Sequence, residues 1–127
     1  GAEHGLAHAL GQGRPVIGWG AGAMAMTERI VLFYDDAPDG PAEAEILDHG
    51  LSLAPGLVLF PHANQRLRMD DTARIAAIAH RFGPKACIGL EKGGWIEHTD
   101  AGWRSRGVPG SATRLCPDGT VQPLEIT

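Results

Sequence analysis

The chain has 127 residues, 43% of them hydrophobic and 20% charged, with a formal net charge of −4. That length suits one compact domain, residues 1–127, able to bury roughly two-thirds of the surface its unfolded form exposes. The acidic balance argues against a broad grip on nucleic acid, and no apolar run approaches the roughly 20 residues needed to span a bilayer. No signal-peptide pattern opens the chain, so it reads as cytoplasmic. Cys87 and Cys116 stand at no metal spacing, which fits reduced thiols in that compartment better than a disulfide. A start at Gly1 suits a processed chain, a cloned fragment or one chain of a split protein.

In chain order, residues 2–10 place Leu6 and Leu10 four apart, as a short amphipathic helix does, and residues 11–15 end it. "PVIGWG" (15–20) predicts an apolar strand of the buried, parallel type. "AGAMAMTER" (21–29) predicts a small-residue helix packed close beneath it, and "IVLFY" (30–34) a second strand. "DDAPDGPAEAE" (35–45) is a polar loop, and "ILDHGLSLA" (46–54) a short helix or turn. "GLVLF" (56–60) is a third strand, ending at Pro61 and His62. "DDTARIAAIAHRFG" (70–83) is the clearest helix, with Ile75, Ile78 and Ala79 on one face, a carboxylate-rich start and Gly83 as its stop. "KACIGLE" (85–91) is a fourth strand. In the tail, "GWIEH" and "GWRSR" flank the turn "TDAG", while "ATRLC" and "TVQPLEI" flank "PDG". Alternating strands and helices predict an α/β domain: a mostly parallel open sheet, helices on both faces and a C-terminal antiparallel β-hairpin edge.

The stretch "GWGAGAM" carries the chemical interest. A nucleophile elbow needs small residues around a strained strand-to-helix turn, so that one side chain is lifted to the carboxyl end of the sheet. Gly18, Ala21, Gly22 and Ala23 have that size, and Gly20 holds the position of the lifted residue. Close packing or a phosphate-binding turn produces the same glycines. His62 follows one strand end and Asp35 and Asp36 another, where residues of an open α/β sheet reach the active crevice. Taken singly, His62 reads equally as a surface histidine, and the aspartates as loop or capping residues. Together they follow the order nucleophile, acid, base.

"GWGAGAM" followed by "PHANQRLR" resembles the serine peptidase family of dipeptidase E and cyanophycinase, whose fold is of the class I glutamine-amidotransferase type. The family elbow reads Gly-x-Ser-Ala-Gly-Ala, so Gly20 stands where the family keeps its serine. The cyanophycinase branch follows its catalytic histidine with Gln-Arg-x-Arg, and His62, Gln65, Arg66 and Arg68 fall on those positions. The dipeptidase branch leads an Ile-Gly-Leu strand into Gly-x-Trp-Ile, as "CIGLEKGGWI" (87–96) does. The resemblance implies His62 as base, Asp35 or Asp36 as orienting acid, and the backbone N–H of Ala21 as oxyanion donor. It also implies cleavage next to aspartate without metal or cofactor, and it extends over the C-terminal half of a family member.

Gly20 has no side chain, so the chain as written forms no acyl-enzyme; losing such a nucleophile costs on the order of a million-fold in turnover. An ordered water activated by His62 could supply a trace of hydrolysis. Three readings follow: a disabled peptidase, a pseudo-enzyme that binds a small acidic or peptide ligand, or a half-domain whose sheet edge needs a second copy or an N-terminal partner chain. In the second, Arg66 and Arg68 could hold a carboxylate. An amidotransferase would need a cysteine at the elbow. The histidines are scattered, and His4 and His8 form only an adventitious metal pair. Dinucleotide binding would use Asp35 or Asp36 after the next strand, but leaves "HANQRLR" unexplained.

Overall fold

A computed structural model of the chain describes residues 1–33 and 44–124. The helices are α1 (Ala2–Gly11), α2 (Ala21–Met26), α3 (Ala63–Arg66) and α4 (Thr72–Phe82). The strands are β1 (Arg29–Phe33), β2 (Ala44–His49), β3 (Leu57–Pro61), β4 (Ala86–Leu90), β5 (Gly94–Thr99), β6 (Gly102–Gly107), β7 (Ala112–Leu115) and β8 (Val121–Pro123). Among the described residues, no helix is long and apolar enough to cross a membrane.

The central sheet has the order β3-β4-β7-β8. Its β3–β4 pair is parallel, in the register Val58 to Cys87, and the β4–β7 and β7–β8 pairs are antiparallel. The sheet is therefore mixed, not mostly parallel. Parallel pairing needs a crossover of a dozen or more residues, and the α3–α4 connection between β3 and β4 supplies one. The short link from β7 to β8 makes only the expected antiparallel edge. The class, α/β, is as expected.

Side-chain alternation along β3 and β4 divides the core in two. Val58, Phe60 and Cys87 face α3 and α4, where they pack against Ala63, Leu67, Ile75, Ile78 and Phe82. Leu57, Leu59, Ala86 and Ile88 face the other way, against Ala23 of α2, with Ile96 and Trp103 of the β5–β6 pair beside them. α4 forms where its apolar stripe was expected. Asp71 caps it by accepting the Arg74 backbone N–H at 3.0 Å, which satisfies one of the unpaired donors of the first turn.

Two expectations fail. Residues 46–54 are not helical: Ala44–His49 pairs antiparallel with β1, with a bulge between Ile30 and Val31, so ladder pairing overrides the weak local preference. Gly50 then lets the chain turn against α2, since a Cβ there would lie 1.9 Å from the Thr27 carbonyl oxygen. Residues 15–20 form no strand either. They take no regular structure, and Ile17 and Trp19 are each 81% exposed. Strand status needs a ladder partner, and no described strand pairs with this segment; it lies along α2 through Gly18, where a Cβ would meet Met26 Sδ at 2.6 Å.

Both cysteines are free. Burial pushes the Cys87 thiol up to about 11, with Arg114 opposing the shift, while Cys116 is partly exposed. A thiol-titrating disulfide reagent at neutral pH is expected to modify Cys116 quickly and Cys87 only after denaturation. Two fast thiols in the folded protein would contradict this packing.

Candidate active site

The Glu28–Lys85 ion pair fixes the direction of α2. Glu28, just past the end of α2, meets Lys85, just before β4, at 2.7 Å. α2 therefore runs against the direction of β3 and β4. Ala23 packs in one cluster with Leu57, Leu59, Ala86 and Ile88, so α2 lies against this face of the sheet. Gly20 caps the N-terminus of α2 and His62 follows the end of β3. The Gly20 turn is thus at the end of α2 away from the Glu28–Lys85 pair, and His62 at the carboxyl end of β3, where residues of an open α/β sheet reach a crevice.

The backbone at Gly20 has φ 53 and ψ −127. L-residues rarely adopt this conformation, and in a functional turn it holds a side chain away from the flanking strand and helix. Gly18 and Gly20 are glycine for different reasons. At Gly18 there is no room for a Cβ; at Gly20 a Cβ would have nothing within 4 Å. The N–H groups of Gly22 and Ala23 donate to the Trp19 carbonyl at 2.9 and 3.3 Å. Ala21 is the first residue of the helix.

His62 is exposed and left-handed, with φ 57 and ψ 43, a conformation uncommon for a residue with a Cβ. Two contacts impose it: its backbone N–H donates to the Leu90 carbonyl at 2.8 Å, and its own carbonyl begins α3 by accepting from Gln65 and Arg66. Strain held by pairing to a neighbouring strand end fits a residue kept there for its side chain. Gln65 and Arg66 lie in α3. Arg68, also left-handed at φ 52, is ion-paired with Asp70 at 3.6 Å, so its charge is partly engaged on the surface. Asp35 and Asp36 lie outside the described residues.

The sequence reading passed over Glu91. It follows β4 directly, and its Oε1 accepts the Asn64 backbone N–H at 2.6 Å, beside His62 in the same turn. The signal was available: Glu91 is the last letter of "KACIGLE", at a strand end like His62 and Asp35. The other hydroxyls weighed from the sequence lie elsewhere. Thr27 is fully buried and its Oγ1 donates to the Met24 carbonyl at 2.8 Å, at the far end of α2. Ser105 is buried in β6, and the Ser52 N–H donates to the Thr27 carbonyl at 3.1 Å. His4 and His8 are exposed, and no group of three or more metal-ligating side chains occurs among the described residues. A cavity of about 90 Å³ lined by Lys85, Cys87 and Arg114 lies at the opposite end of β4 from His62.

The adjoining β5–β6 pair is locked on its outer face. Arg104 and Arg106 both donate to Glu97 Oε2, at 3.1 and 3.0 Å, and hold its carboxyl below the usual range. A lowered folded pKa stabilises above the unfolded value near 4.5, and that contribution is lost as pH falls through the folded value. Acid titration of tryptophan emission is expected to show the hairpin loosening, with Glu97→Gln removing that step.

The sequence model of peptidase family S51 matches residues 1–105, from α1 into β6, and leaves β7 and β8 beyond it. No curated protein matches the chain. With five-sixths of its length matched, including the Gly20 turn and His62, the chain belongs to peptidase family S51, the family of dipeptidase E and cyanophycinase.

Proposed function

We propose that this is a serine-peptidase-like domain that binds aspartyl peptides and turns them over poorly or not at all. The observation that carries this reading is the Gly20 turn. It has the positive-φ backbone an elbow needs, but residue 20 has no side chain to carry a hydroxyl. His62 is the base of the ancestral reaction and the Ala21 N–H its oxyanion donor. Arg66 is the cation for the acidic side chain, helped by Gln65, with Arg68 shared with Asp70.

For the orienting acid, Glu91 has stronger support than Asp35 or Asp36, because its carboxylate is held at the His62 turn by Asn64 and keeps a second oxygen free. Calorimetric titration of the chain with Asp-Leu is expected to show saturable binding that weakens with Arg66→Ala. No binding up to millimolar peptide would refute the reading. In a Gly20→Ser background, Glu91→Gln is expected to lower kcat by up to about 10⁴-fold with KM little changed, as for other triad acids. If Asp35→Asn costs more, the acid is Asp35.

A second reading rests on residues 15–20. An apolar segment outside any sheet, with two side chains 81% exposed, fits a strand awaiting a ladder, supplied by a second copy or by a preceding chain segment. Native mass analysis of the untagged protein separates these: a dimer, a second polypeptide, or a monomer that leaves only the binding reading.

A further inference from the structure

We propose that the Gly20 turn admits a small external nucleophile into the place where a side-chain hydroxyl would act. The chain would then cleave an aspartyl amide by direct attack, with no acyl-enzyme; the inference rests on the peptidase reading of this site. Three observations carry it. The space beyond Gly20 is open, with nothing within 4 Å of a Cβ position, whereas Gly18 two residues earlier is tightly filled. The absence of a side chain at residue 20 is therefore not a packing requirement and leaves room for a molecule of a few atoms. His62 stands exposed at the carboxyl end of β3, its backbone N–H held by the Leu90 carbonyl. Glu91 is held in that turn through Asn64. In a serine triad that has lost a member, the oxyanion hole and substrate binding alone still accelerate reaction by roughly 10³–10⁴-fold over solution.

The chemistry balances without redox change. With hydroxylamine, the nitrogen lone pair attacks the substrate carbonyl and His62 accepts the proton released. Collapse of the tetrahedral intermediate breaks the amide C–N bond, and His62 returns the proton to the departing amine. The products are a hydroxamate and a free amine. With water the products are an acid and an amine, formed more slowly because water is the weaker nucleophile.

The test uses the chain as it stands, with aspartyl p-nitroanilide and hydroxylamine, and follows nitroaniline release together with the mass of the hydroxamate. The expected result is hydroxamate formation at least about tenfold above the protein-free rate, saturable in anilide and rising with hydroxylamine. It is insensitive to a fluorophosphonate that would silence a contaminating serine hydrolase. Gly20→Ala, which fills the space with a methyl group, and His62→Gln are both expected to return the rate to background while calorimetric binding persists. If the anilide binds but hydroxamate stays at background, this inference is overturned and the binding reading stands. If neither occurs, both fall.

Discussion

Gly20→Ser is expected to raise hydrolysis of aspartyl dipeptides by up to about a million-fold, the factor lost when a triad loses its nucleophile. The argument is structural as well as chemical. Residue 20 already has φ 53 and ψ −127, and a Cβ there meets nothing within 4 Å, so the serine needs no rearrangement of its neighbours. It does bring conformational strain of about 1–3 kcal/mol, because a residue with a Cβ disfavours positive φ. Thermal unfolding should therefore shift down as activity appears, a pairing that merely adding a surface hydroxyl would not produce. The measurement is steady-state release of aspartate, with His62→Ala in the same background as control. If Gly20→Ser folds and binds peptide yet stays at the rate of the parent chain, the elbow assignment is wrong.

The largest stability effect is expected at Phe60, the residue before Pro61 and His62. Its side chain is fully buried and meets Phe82 edge-on, with ring centroids 5.8 Å apart. Phe60→Ala removes the ring and leaves a cavity between β3 and α4, at a cost of about 3–5 kcal/mol. That is a large share of the 5–15 kcal/mol typical of a whole domain. Denaturant melts should show a lower midpoint with little change in slope. Peptide binding should fail with folding rather than before it, since Phe60 carries the strand but does not face the site. A loss below about 1 kcal/mol would mean that the core collapses around the gap.

What the sequence allowed depended on how local the determinant was. The α4 stripe of Ile75, Ile78 and Ala79 with its Asp71 cap could be read directly, because period and cap lie within one helix. The β5–β6 and β7–β8 hairpins were legible from turn chemistry. The strand assignment at 15–20 failed for the opposite reason: an apolar run shows readiness for a ladder but not whether a neighbour is present. Residues 44–49 paired with β1 through contacts no local pattern records. Gly20 and His62 drew attention in the sequence because their side-chain chemistry, missing in one and present in the other, stands beside apolar runs. Glu91 was missed because its role arises from the Asn64 N–H, a contact between turns separated by α3 and α4.

The apolar segment before the Gly20 turn also bears on how the protein behaves at high concentration. A surface segment presenting Ile17 and Trp19 is a site for self-association through exposed apolar side chains. The sequence holds its own gatekeepers: Arg14 and Pro15 stand at the upstream end, and glycines at 18 and 20 interrupt the apolar run. Charge repulsion from a net −4 is modest, so salt that screens it should bring on turbidity while the fold is still intact.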